Sequence, residues 1–238
     1  TGLFGGALLV DLVGFSAALF AIACASLLAI PMGLKARLPN RPLPSGQSTR
    51  ESTTPTDARI YAVIGFALGA VGPGLVAATL GAVLADRLGV TVSAVSAATL
   101  TGAVLAARYV LDSLAAPWLG GLSDRYGVRT SVVGFTLFGG MALLVAAGVE
   151  SVYLVAILTI LFFGAGTALQ AGVTGAVSQQ GSGPFRNFNT SMDFGAASGP
   201  LVGWWLLDAL GFDAAGIALG GGMYLMLALF VAVARSRL

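Results

Sequence analysis

The chain has no histidine and a single cysteine in 238 residues, and Asp, Glu, Lys and Arg together make up only 9% of it. One thiol excludes a disulfide framework within the chain, and without histidine a His/Cys metal site has no ligand set. The same shortages leave little from which to cluster a nucleophile and a base, so neither an enzyme nor a cofactor is expected. The 12 basic residues form no stripe and no aromatic-interleaved patch, which argues against a nucleic-acid partner. Scarcity of charge says most. A soluble domain carries about 25% charged residues, whereas this chain is 57% hydrophobic, with a mean hydropathy of +0.91. That composition describes helices in a lipid bilayer, and 34 glycines suit helices that pack closely there, because small residues let backbones approach.

The apolar runs divide the chain. Residues 1–10 give about 15 Å of helix before Asp11, roughly half a bilayer core, and read as the tail of a helix that starts earlier. Residues 16–34 are long enough to span. From Lys35 to Asp57 the composition turns to Arg, Ser, Thr and Pro, including Pro39, Pro42, Pro44 and Pro55; such a segment buries no core and reads as a solvated linker between domains. Six further spans are expected at about residues 58–85, 93–119, 130–148, 152–178, 190–207 and 214–234. Gly72-Pro73-Gly74 should kink the first of these, since proline deletes a backbone hydrogen bond and glycine tolerates the bend. A charged, glycine-rich turn at residues 120–129 and a polar loop at 179–187 lie between spans.

Placing the linker, that turn, that loop and the C-terminus on one side collects Lys35, Arg37, Arg41, Arg50, Arg59, Arg125, Arg129, Arg186, Arg235 and Arg237 there. The other side holds Arg87 with Asp11, Asp86, Glu150, Asp208 and Asp213. This asymmetry satisfies the positive-inside rule and makes the linker and the C-terminus cytoplasmic. A weak internal repeat at an offset of 197 residues agrees, pairing Asp11-x-x-Gly14-Phe15 with Asp208-x-x-Gly211-Phe212. Duplicated halves mark secondary transporters.

Gly120-x-Leu122-x-Asp124-Arg125-x-Gly127-x-Arg129 resembles the loop signature of the major facilitator superfamily of secondary transporters. Asp193-Phe194-Gly195-x-x-Ser198-Gly199-Pro200-x-x-Gly203 is similar to the Gly-Pro helix motif of its antiporter branches, which makes Gly199-Pro200 a second kink candidate. The resemblance covers essentially the whole chain. It implies an all-α membrane protein: an MFS-like six-helix C-terminal bundle (58–238), the central cytoplasmic loop (35–57), and the last one and a half helices of the N-terminal bundle (1–34). The implied function is alternating-access transport of a small solute across the cell membrane, coupled to protons. The missing N-terminal half would be the partner, beside the bilayer and the substrate. No Gly-x-x-x-x-Gly-Lys phosphate loop occurs, so ATP is not the expected energy source. The competing reading is a non-transporting sensor or scaffold on the same bundle.

Arg108 and Asp112 lie one helical turn apart within an expected span. At mid-membrane each costs about 2.5–3.5 kcal/mol, so unpartnered they would be selected against, and at i,i+4 they can neutralise one another. They read either as a proton or substrate-charge site or as a static ion pair. Asp193, placed about one turn into its span, reads as a second titrating group or as a helix-dipole partner. Thr167, Gln170 and Thr174 form a polar stripe that lines a cavity or bonds between helices. In the charged turn, Gly120 and Gly127 permit close helix approach, Asp124 can engage a facing helix terminus as a conformational latch, and Arg125 and Arg129 sit among head groups.

Overall fold

A computed structural model of the chain describes residues 10, 14, 16, 17, 20, 24, 55–89, 96–211 and 214–234. The expected one and a half helices at the start therefore lie almost wholly outside the described residues. So do the linker to residue 54, the first half of the internal repeat, and the C-terminal arginines.

Helices account for nearly all of the described chain, and no strand occurs among the described residues. The first segment comprises α1 (Pro55–Gly69), a π-helical stretch (Ala70–Val76) and α2 (Ala77–Leu88). The second comprises α3 (Ala97–Leu114) and α4 (Ala116–Tyr126), followed by α5 (Val128–Gly148), α6 (Val152–Gln179), α7 (Ser182–Leu210) and α8 (Ala215–Val233). Among the described residues four stretches are long and apolar enough to cross a membrane, Ala58–Leu88, Val128–Gly148, Val152–Gln179 and Ala215–Val233; the helices at the expected spans 93–119 and 190–207 are not among them. The described residues are almost entirely helical and of membrane-protein character.

The irregularity expected at Gly72-Pro73-Gly74 takes the form of the π-helical stretch. Pro73 has no N–H to give, and the widened turn passes the bond on, so that the Ala77 N–H donates to the Gly72 carbonyl five residues back. Pro117 has the same effect in the second segment, where it cannot donate to the Ser113 carbonyl; α3 ends at Leu114 and α4 begins at Ala116. Pro200, by contrast, lies inside α7 without ending it.

Two loop expectations need correction. The charged turn is almost entirely helix: residues 120–126 complete α4, and α5 begins at Val128. Only Gly127, at φ 82°, leaves the helical conformation, a region closed to most residues with a side chain. Likewise the polar stretch 179–187 is a loop only to Gly181. Pro184 falls in the first turn of α7, where an N–H has no intrahelical acceptor and its loss costs nothing.

Cross-chain hydrogen bonds fix the alternation of direction. Arg129 Nη2 donates to the Ala232 carbonyl at 2.8 Å, and Gln180 Nε2 donates to the Tyr61 hydroxyl at 3.0 Å. These bonds gather the starts of α1 and α5 with the ends of α6 and α8 at one end of the bundle. Arg87 Nη2 to the Ala147 carbonyl, 3.4 Å, joins the ends of α2 and α5 at the other. The first end carries Arg59, Arg125, Arg129 and Arg186 against Asp124; the second carries Asp86, Glu150 and Asp208 against Arg87.

Packing repeats across the two halves. The first segment packs on the fifth as the fourth packs on the second; the third meets the sixth; and the third-to-fourth contact mirrors the sixth-to-first. Exchanging the first three segments with the last three leaves this pattern unchanged, and exchanged segments run in opposite directions.

Lipid provides no hydrophobic drive between helices, so close van der Waals contact must hold them. Glycine supplies it. A Cβ at Gly65 would lie 2.5 Å from the Phe188 carbonyl oxygen, and one at Gly199 would lie 2.5 Å from Gly74 Cα. Gly140 and Gly221 join α5 to α8 in the same manner. The outward surface is apolar, with Trp118 84% and Leu201 75% exposed. On α6, Tyr153, Leu154, Ile157 and Leu161 form one such face at helical spacing. Buried hydroxyls of Thr79, Thr136 and Thr159 donate to their own i−4 carbonyls, leaving no orphan donor.

Candidate functional site

A cavity of about 240 Å³ opens between the π-helical stretch, α3, α6, α7 and α8. The elements explain its position. The π-helical stretch exposes Pro73 to it, and α3 and α6 approach each other without the glycine contacts that seal α1 against α7.

Arg108, Asp112, Asp193, Thr167 and Gln170, separated by up to 85 positions in sequence, all line this cavity together with Gly72 and Pro73. Arg108 Nε lies 3.9 Å from Asp112 Oδ2, and the two side chains are 20% and 35% exposed. The pair is therefore neither sealed in protein nor open to lipid on every side. The guanidinium carbon also lies 5.1 Å from the centroid of the Phe163 ring, within cation–π range. The guanidinium thus has both a carboxylate and an aromatic face to offset its partial desolvation.

Thr167 completes the cluster. Its hydroxyl oxygen is 2.5 Å from Asp112 Oδ1 and 3.0 Å from the carbonyl oxygen of Phe163. One hydroxyl proton serves one of these acceptors at a time. Thr167 differs in this from Thr79, Thr136 and Thr159, whose acceptors lie on their own helices.

Asp193 is deeper than the sequence suggested. Because α7 starts at Ser182, Asp193 lies eleven residues in, roughly 16 Å along the axis. At three turns from the N-terminus it is beyond reach of the helix dipole, and its place is on the cavity wall. Asn187, Asn189 and Ser191 are interior to the same helix.

Other candidates lie elsewhere. Thr174, two turns beyond Thr167, is not among the cavity-lining residues. Gly74 and Gly199 are in backbone contact at the α7 interface, with Pro200 following. Gly120, Asp124 and Gly127 line a separate groove of about 610 Å³ between α4 and the end of α6, opposite Gly172 and Gly175. Gly127 caps α5 with no side-chain hydrogen bond, so Asp124 does not serve as that cap. Arg125 is exposed in the last turn of α4, and Arg129 is spent on the end of α8.

Sequence reasoning missed the aromatic wall of the cavity. Phe162 and Tyr224 meet as tilted rings 5.3 Å apart between centroids, and Phe162 and Phe163 likewise at 5.2 Å. Both phenylalanines and the tyrosine sit in uniformly apolar runs; only the phenolic hydroxyl of Tyr224 gave a signal, a polar tip within a span. Chemically, the site can hold a small solute against an aromatic wall and exchange a proton at a carboxylate beside a fixed cation. No family model matches this sequence, and no curated protein matches it either.

Proposed function

We propose that the chain is the C-terminal part of a major-facilitator-type secondary transporter that moves a small solute by alternating access, coupled to protons. One observation carries this reading: the ionisable residues Arg108, Asp112 and Asp193, drawn from two helices, converge on a single partly open cavity within a bundle of otherwise apolar helices. Charges in a membrane segment are costly, and they mark substrate or proton paths.

Three further features support the reading. Exchanged three-segment halves running in opposite directions are the arrangement of inverted repeats in secondary transporters. The basic end of the bundle against its acidic end fits a cytoplasmic face bearing the linker, the charged segment and the C-terminus in a cell membrane. The residues of the loop signature fall at that basic end, where Asp124 faces a groove wide enough to change shape and can act as the latch between states.

The mechanism follows from the pair. With Asp112 ionised, Arg108 is held against it and over Phe163. Protonation of Asp112 removes the countercharge, and Arg108 then seeks another partner; Asp193 shares the cavity. A proton thus biases one arrangement of the cavity over another, to the extent that the two arrangements differ in affinity for it. The substrate path is completed by the N-terminal half of the transporter, and no cofactor takes part.

The test is Asp112→Asn in the full-length protein, reconstituted in vesicles and screened with a panel of solutes under an imposed proton gradient. Gradient-driven accumulation should be lost, with solute exchange at equal pH retained. Undiminished gradient-driven accumulation in the variant removes the coupling role.

A further inference from the structure

We propose that Thr167 is a proton-relay positioning residue for Asp112, reversing its hydrogen bond so that the carboxyl gains or loses a proton without leaving any polar atom unpartnered. The inference rests on the proton-coupling reading above.

The geometry contains both states at once. With Asp112 ionised, the Thr167 hydroxyl donates to Oδ1 across 2.5 Å. When a hydronium ion from cavity water delivers its proton to Oδ1, a water molecule leaves and the direction reverses. The new carboxyl O–H donates to Thr167 Oγ1, whose own hydrogen rotates about the Cβ–Oγ bond and donates to the Phe163 carbonyl at 3.0 Å. No heavy atom has to move. Loss of the proton to water runs the steps backwards. A buried polar group deprived of its partner is the usual penalty for changing a charge away from water, and a hydroxyl within reach of two acceptors avoids it. Apolar residues at position 167 lack both functions. Serine retains them, because the reversal uses only the hydroxyl.

The other ionisable groups around Asp112 are Arg108 on its own helix, Asp193 on α7 and Tyr224 on α8, all lining the same cavity; α6 contributes Thr167 and Gln170 without a charge. Neither Arg108 nor Asp193 offers the alternation of donor and acceptor that a single hydroxyl provides.

The experiment is pH-dependent infrared difference spectroscopy on the full-length protein in lipid nanodiscs, with the proton itself as probe. Asp112→Asn assigns the protonated-carboxyl C=O band. Thr167→Val should raise the frequency of that band, as the carboxyl O–H loses its acceptor. It should also move the pH midpoint of the band by about one unit or more, as the carboxylate loses its donor. Thr167→Ser should keep the parent frequency and midpoint, and Thr167→Ala should repeat the valine result with a smaller side chain. An Asp112 band whose frequency and midpoint are the same in parent, valine and alanine variants overturns the relay while leaving the proton site standing. No Asp112-dependent band at any pH between 4 and 10 overturns the proton-coupling reading, and the relay with it.

Discussion

Two interfaces related by the exchange of halves have opposite characters. Where the first segment meets α7, Gly65, Gly69, Gly74, Gly195, Gly199 and Gly203 bring backbone against backbone, and an added methyl group would meet main-chain atoms at five of the six. Where the second segment meets α6, the contact is made by Arg108, Asp112 and Thr167 at mid-helix and by Ser123 over Gly172 near the basic end. Cavities flank it on both levels. The same topology thus produces one seam with no room for adjustment and another lined by side chains that can rotate. On the proposed mechanism the second seam changes between states and the first holds the bundle together as it does.

The sealed seam should break most severely. Gly199→Val places a branched side chain on Gly74 Cα and the Ala70 carbonyl, which lie in main chain and cannot rotate away. A cost of at least ~3 kcal/mol is expected, read as loss of folded protein by thermal unfolding in detergent; stability equal to the parent's would show that the seam is not close-packed. A smaller effect is expected at the other seam. Gly172→Ala meets the Ser123 side chain, whose hydroxyl can swing aside but whose Cβ, 2.7 Å from the added methyl, moves only with its backbone, so about 1–2 kcal/mol should be lost. Ser123→Ala in the same chain should recover part of that loss, and strict additivity of the two substitutions would disprove the contact. The smallest effect on stability belongs to Asp124→Asn. This exposed carboxylate should be replaceable with no measurable change in unfolding temperature, while transport slows severalfold as the latch is lost; transport kinetics matching the parent's would remove the latch.

Much of this architecture was readable from residue patterns. The runs at 130–148 and 152–178 agree with α5 and α6 to within two residues, because uniform apolarity bounded by Gly, Ser and Glu leaves little choice. The Arg108–Asp112 pair followed from i,i+4 spacing, which needs no partner helix. The start of α7 was missed because Ser182–Asn187 has the composition of a loop; a first turn needs no apolar residues when it ends at a membrane surface, and proline is free there. That one misreading moved Asp193 from the surface to the cavity wall. The glycine seam was visible as composition but not as pairs, since which glycine faces which is a property of helix order and rotation. For Thr167 the stripe was legible and the partner was not: Asp112 lies 55 residues away on another helix.

The most direct test of alternating access is the labelling of a cysteine placed at Gln170, an exposed wall residue of the cavity, in a Cys24→Ser background. A membrane-impermeant thiol reagent is applied to sealed vesicles from the outside or from within, and the pH gradient is then reversed. The expected result is labelling from either side, with the two rates moving in opposite directions as the gradient is inverted. Labelling from one side only, at a rate indifferent to the gradient, would contradict a cavity that opens to each side in turn.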